Sequence, residues 1–122
     1  MNLDAQQLAD RYTAVWNEAD PDARRAAIAQ LWLPDGVHYV GTREACGYAA
    51  LEQRIIGSHE KNVRDAGNCF RAMPDAQALR GVVTFHWQMV RPGTQEVLAT
   101  GLEFLQVDAD GRIACDHQFI VA

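Results

Sequence analysis

The sequence predicts an α+β fold, because helical patterns fill the first half of the chain and strand patterns the second. Up to about residue 64, apolar residues recur three and four positions apart, as on one face of a helix. From about residue 79 they alternate with a period of two, which is typical of strands. A length of 122 residues suits one domain with its own core, so we expect a single domain over residues 1–122.

Two short helices are predicted at the start of the chain. The first runs from about Asp4 to Asn17, and its apolar stripe consists of Leu8, Tyr12, Val15 and Trp16. The second begins at Pro21, because Asp20 is a good N-cap and proline is favoured at the first helical position. It ends before Pro34, since a proline disfavours helical backbone angles in the residue that precedes it.

The rest of the chain is predicted as one more helix and five strands. A short strand at 37–40 and a connecting loop at 41–47 lead to a helix from about Tyr48 to Arg64. Strands follow at 69–73 and 79–90, and a third begins near Glu96 after the turn residues 91–94. The last two strands meet at the turn 108–111, which contains Gly111. The order of elements is therefore α-α-β-α-β-β-β-β.

Composition and charge exclude several classes of function. The formal net charge is −5 and Lys61 is the only lysine, which argues against a nucleic-acid or anionic-membrane surface. The first residues show neither a basic region nor an apolar run, and three scattered cysteines fit reduced thiols, so we expect a cytoplasmic protein. The spacing of histidines, cysteines and acids gives no metal motif, and no glycine-rich phosphate loop is present, so we expect no metal and no cofactor.

Several short motifs, in this order and spacing, resemble the nuclear transport factor 2-like superfamily, which includes SnoaL-like polyketide cyclases, ketosteroid isomerase and scytalone dehydratase. The motifs are Arg11-Tyr12 with Trp16-Asn17-Glu18-Ala19-Asp20, the segment 31–37, the helix start at 47–56 and the turn 108–113. The resemblance implies a cone: a curved antiparallel sheet wraps a pocket that three N-terminal helices close. It also implies that the outer face of the sheet forms a homodimer.

The comparison with ketosteroid isomerase extends to two positions but not to a third. Tyr12 falls at the position of its helix tyrosine, and Glu103 falls at the position of its protonated strand acid. The position of its aspartate base falls on Val40, next to Tyr39, and neither side chain is a carboxylate. Ketosteroid isomerase activity itself is therefore not expected.

Four residues are candidates for catalysis: Glu103, Tyr12, His38 and Asp116. Glu103 lies among apolar strand residues, and burial would raise its pKa and make it a general acid. His38 shares a strand face with Val40 and could replace the missing base, because histidine titrates near neutrality. Asp116 shares a face with Gln118 and, by the resemblance, lines the pocket, whereas its neighbour His117 points to the other face. Each of the four also has a structural interpretation, as a solvated or core residue.

The candidates for ligand binding are the aromatic, apolar and polar residues Trp16, Tyr39, Ile55, His59, Phe85, Trp87 and Gln118. An aromatic lining would suit a small apolar or aromatic molecule. The alternative is that these side chains simply fill the core. For His59, which lies on the apolar face of its helix, the alternative is a buried structural histidine.

Two functions of different classes follow from these observations. One is a small cofactor-free acid/base enzyme, of isomerase, cyclase, dehydratase or hydrolase type, that acts on an apolar organic molecule. The other is a non-catalytic ligand-binding or dimerisation module on the same scaffold. A buried carboxyl group within hydrogen-bond reach of Tyr12 or His38, beside an open pocket, would favour the enzyme. A pocket filled by Trp16, Phe85 and Trp87 would favour the module.

Overall fold

The structure, a computed structural model, describes residues 4–122 and confirms the α+β class. Its helices are α1 (Ala5–Asn17), α2 (Pro21–Leu31) and α3 (Tyr48–Ser58), and α3 continues into a π-helical segment, His59–Asp65. Its strands are β1 (Trp32–Val40), β2 (Arg43–Cys46), β3 (Cys69–Ala72), β4 (Gln77–Leu79), β5 (Val82–Arg91), β6 (Glu96–Val107) and β7 (Ile113–Ile120).

The described strands form one sheet in the order β2-β1-β7-β6-β5-β3, with β4 also paired to β5. All of these pairs are antiparallel except β1 with β7, which run parallel. The expectation of a fully antiparallel sheet is therefore wrong for this one pair. The C-terminal strand lies in the interior of the sheet, beside a strand from the first third of the chain.

The predicted helix starts are confirmed by their caps. The Asp4 side chain accepts a hydrogen bond from the backbone N–H of Gln7 at 3.0 Å. The Asp20 side chain does the same for the N–H of Ala23 at 3.2 Å, directly before Pro21. These bonds satisfy N–H groups that a helix leaves free in its first turn.

Three predicted boundaries are wrong. The loop at 41–47 contains β2, which forms a hairpin with β1 around Gly41, whose φ is +57°. The strand predicted over 79–90 is two strands, because Arg80 and Gly81 turn with positive φ and β4 folds back on β5. The short strand predicted at 37–40 begins earlier, at Trp32, although Pro34 lies within it.

The inner face of the sheet is defined by the alternation predicted for β5 and β6. Val83, Phe85 and Trp87 of β5 are buried, as are Glu103 and Leu105 of β6. In β7 the strict alternation is wrong, because the β6–β7 register shifts between Ile113 and Cys115. This bulge places both Ile113 and Asp116 in the interior.

Gly101 makes room for the largest side chain on this inner face. It is paired with Trp87 across β5 and β6. A Cβ atom at Gly101 would lie only 2.1 Å from the Trp87 ring, so the indole packs directly on the glycine backbone. A close approach of this kind is a reason for glycine in a strand interior.

Gly101→Ala should therefore displace the Trp87 indole and lower the free energy of unfolding by about 1–3 kcal/mol. Gly57→Ala is the matched control, because no atom lies within 4 Å of its Cβ position in α3. It should instead stabilise the protein by about 0.5–1 kcal/mol. Chemical unfolding of both variants measures the difference, and equal effects would contradict the close packing.

Candidate active site

Three ionisable side chains lie close together in the interior of the sheet. Glu103 of β6 and Asp116 of β7 are 0% exposed, and His38 of β1 is 1% exposed. His38 and Asp116 are register partners in the parallel pair, and Asp116 faces Leu105, two residues from Glu103. Three strands thus bring three of the four catalytic candidates into one cluster.

Asp116 accepts hydrogen bonds from two of the other candidates, Tyr12 and His38. The Tyr12 hydroxyl of α1 donates to Asp116 Oδ2 at 2.5 Å. His38 Nδ1 lies 2.7 Å from the same oxygen. Because an ionised carboxylate only accepts, His38 must carry a proton on Nδ1. The helix and two strands are therefore joined through one carboxylate.

Glu103 has a different partner. Trp87 Nε1 donates to Glu103 Oε1 at 2.9 Å. Two carboxyl oxygens, Glu103 Oε2 and Asp116 Oδ1, have no partner among the described residues when both groups are ionised. A proton on Glu103 makes its carboxyl group a donor toward Asp116 and removes this deficit.

The pKa shifts place the proton on Glu103. Burial, and then the negative charge of Asp116, raise the pKa of Glu103 well above its usual value. Burial also opposes ionisation of Asp116, but hydrogen bonds from Glu103, His38 and Tyr12 outweigh it, so the pKa of Asp116 is lowered. Burial, with Asp116 and Glu103 nearby, raises the pKa of Tyr12, so its hydroxyl stays protonated. The pair thus holds one proton and one negative charge.

A cavity of about 180 Å³ opens beside this cluster. Aromatic and apolar side chains form much of its wall, and polar side chains of α1, α3, the π-helical segment and β7 complete it. The lining residues are Tyr12, Thr13, Trp16, Arg54, Ser58, Asn62, Phe70, Trp87, Met89, Ala99, Gln118 and Ile120. No carboxylate and no histidine is among them, so Tyr12 is the member of the Asp116 network that reaches the cavity.

The ligand-binding candidates divide into two groups. Trp16, Trp87 and Gln118 line the cavity. The remaining four, Tyr39, Ile55, His59 and Phe85, do not line it. Ile55 and Phe85 are each 1% exposed and pack in the core.

His59 Nδ1 lies 3.3 Å from the backbone oxygen of Trp16, which fits the structural interpretation of a buried histidine. The assignment of Tyr39 to the pocket is wrong. Its ring stacks on His117, with centroids 5.1 Å apart, and as a strand neighbour of the buried His38 it faces the outer side of the sheet.

Four polar residues of the cavity wall were not predicted from the sequence: Thr13, Arg54, Ser58 and Asn62. The last three follow one another four positions apart on α3 and the π-helical segment, in line with the buried Leu51. This spacing is a signal that was present in the sequence.

Residues 4–122 contain no group of three or more histidine, cysteine or acidic side chains suited to a metal ion. Within the same residues, no helix is both long and apolar enough to cross a membrane.

Neither a protein-family model nor a curated protein matches the sequence. Solved structures do. A proposed isomerase of the SnoaL-like family from Agrobacterium tumefaciens strain C58 superposes with a TM-score of 0.86 at 21% identity, covering 97% of both chains. An NTF2-like protein with a cystatin-like fold from Novosphingobium aromaticivorans gives 0.67 at 22% identity, covering 95% of this chain and 79% of that one. A proposed polyketide cyclase from Bacillus cereus ATCC 10987 gives 0.70 at 14% identity, covering 93% and 71%.

The chain has the nuclear transport factor 2-like fold. In this nuclear transport factor 2-like sheet, the carboxyl pair lies on the inner face, and the cavity lies between that face and the helices. At these identities the likeness establishes the fold alone.

The shared proton should make stability depend on pH. A group whose pKa is raised in the folded state contributes stability that is complete below its pKa in the unfolded chain. This contribution is lost as the pH rises through the pKa of the folded state. The wild-type protein should therefore lose stability relative to Glu103→Gln as the pH rises above 4.5, the ordinary value for this group. Glu44→Gln, at an exposed strand position, is the control. Chemical unfolding across pH measures the effect, and a difference that does not change above this pH would refute the assignment.

Proposed function

We propose that the protein is a small cofactor-free acid/base enzyme, of isomerase, cyclase, dehydratase or hydrolase type, acting on an apolar or aromatic small molecule. The observation that carries the proposal is the buried Glu103–Asp116 pair, which holds one proton and connects to the cavity through Tyr12. Strongly shifted carboxyl groups beside a pocket are typical of catalytic sites.

The geometry favours proton removal over proton donation, because the Tyr12 hydroxyl already directs its hydrogen to the ionised Asp116. The hydroxyl oxygen can accept a proton from the ligand while Tyr12 passes its own proton to Asp116. The net result is the transfer of one proton from the ligand to Asp116, which leaves both Asp116 and Glu103 neutral. Tyr12 would then be the residue that touches the substrate, while Glu103, Asp116 and His38 would act through it.

The alternative is a non-catalytic binding module of the same fold. An interior filled by Trp16, Phe85 and Trp87 would favour that function. Instead, Trp16 and Trp87 line an open cavity although they are largely buried, and of the three only Phe85 does not line it. The names of two similar structures, a proposed isomerase and a proposed polyketide cyclase, agree with the enzymatic proposal.

The enzymatic proposal can be tested with small cyclic enones and β-dicarbonyl compounds in D₂O, followed by proton NMR. The wild-type protein should accelerate exchange or isomerisation of at least one compound, and Tyr12→Phe should slow it about 10²–10⁴-fold. Tyr48→Phe is the matched control, because the Tyr48 hydroxyl donates to the backbone oxygen of Trp32, away from the cavity. Binding without acceleration, or equal rates in the wild type and Tyr12→Phe, would support the binding module instead.

We also propose that the protein is a homodimer through the outer face of the sheet. Phe104 and Phe119 are 38% and 52% exposed there, next to Leu102 and the Tyr39–His117 stack. Apolar side chains grouped on a surface usually mark an interface.

Sedimentation velocity at micromolar concentration should show a dimer, and Phe104→Asp should shift it to monomer by placing a charge in the interface. Leu79→Asp is the control for an exposed apolar residue in β4. A wild-type protein that sediments only as a monomer would contradict the proposal.

A further inference from the structure

Arg54 is a charged residue at the wall of the cavity. Its guanidinium carbon lies 5.2 Å from the centroid of the Trp16 ring, so the indole supports it from one side. Trp16 and Arg54 both line the cavity. The arginine is thus held in place by an aromatic surface that also faces the cavity.

The charge of Arg54 has no partner among the described residues. Arg25, Arg64 and Arg91 each have a carboxylate within 4.0 Å, but Arg54 has none. Its Nε atom is buried and has no hydrogen-bond acceptor. A partly buried guanidinium without an acceptor is costly, unless an anion supplies one when it binds.

Two more cations lie next to Arg54. A second depression, of about 390 Å³, adjoins the cavity and shares Arg54, Ser58 and Asn62 with it. Arg43 and Lys61 line this depression, and no carboxylate lies within 4.0 Å of either in the described part of the chain. Three cations without a carboxylate partner among the described residues therefore line one depression of a protein whose net charge is −5. Such a cluster attracts anions locally.

The buried carboxyl pair forms no salt bridge with Arg54, although the charges of Glu103 and Asp116 act on the guanidinium over a longer distance. Glu103 and Asp116 are fully buried and do not line the cavity. The negative charge of Asp116 is already stabilised by Tyr12 and His38. Arg54 lines both the cavity and the adjoining depression, so an anion can reach its guanidinium from there.

We infer that the cavity binds a small aromatic carboxylate, with its ring against Trp16, Trp87 and Phe70 and its carboxylate on the Arg54 guanidinium. Arginine binds planar carboxylates through two parallel hydrogen bonds. Ser58 and Asn62 can donate further bonds at the same end of the cavity. A cavity of about 180 Å³ suits one ring, since an apolar protein cavity of about 150 Å³ binds benzene. The inference rests on the proposed site and names its substrate class.

Benzoate and benzamide are the probes, because they share shape and ring but differ in charge. Their binding can be measured by NMR titration of the Trp16 and Trp87 indole N–H signals at low ionic strength. Benzoate should bind about ten- to hundredfold more tightly than benzamide, as expected for hydrogen bonds to a charged group. Arg54→Gln should remove this preference while benzamide binds as before, and Arg54→Lys should restore part of it.

Arg64→Gln is the matched control, since Arg64 pairs with Glu60 and Asp65 outside the cavity. It should leave the preference unchanged. Equal affinity for the two probes, no saturable shift with either, or an unchanged preference in Arg54→Gln would overturn the inference. The titration does not depend on turnover. Charge-selective binding without any catalysis would therefore keep the ligand class and overturn only the enzymatic proposal.

Discussion

The protonated Glu103 beside the ionised Asp116 is the interaction on which the interior of this sheet depends. Two fully buried carboxyl groups in contact do not ionise together, because each would lose its hydration and repel the other. The surrounding residues decide where the single charge lies. Tyr12 and His38 both donate hydrogen bonds to Asp116, whereas Trp87 alone donates to Glu103. The carboxylate that accepts more hydrogen bonds keeps the charge, and the other keeps the proton.

This arrangement gives the cavity wall two polar groups of different character. The acidic pair lies behind the Tyr12 hydroxyl, while Arg54 lines the cavity without a carboxylate partner among the described residues. The aromatic rings of Trp16 and Trp87 line the same cavity. A ligand that combines an apolar ring with polar atoms for Tyr12 and for Arg54 would match both groups. The position of Trp87 in turn depends on a residue without a side chain, Gly101.

Local patterns were sufficient for much of the fold but not for the contacts of the site. The alternation along β6 correctly predicted that Glu103 faces the interior, because strand periodicity is a local property. The contact of His38 with Asp116 joins residues 78 positions apart through a parallel pairing that no local pattern encodes. The bulge before Asp116 and the unpaired charge of Arg54 are likewise set by tertiary packing.

The place of β7 within the sheet has a consequence for the order in which the molecule forms. β7 lies between β1 and β6, so the hairpin of β1 and β2 has no partner strand until the last residues of β7 are available. During synthesis, the edge of β1 that pairs with β7 therefore stays unpaired until the rest of the chain is made. Long-range pairing of this kind slows folding, because a large loop must close before the contacts form. Removal of the C-terminal strand would thus split the sheet in two rather than trim its edge.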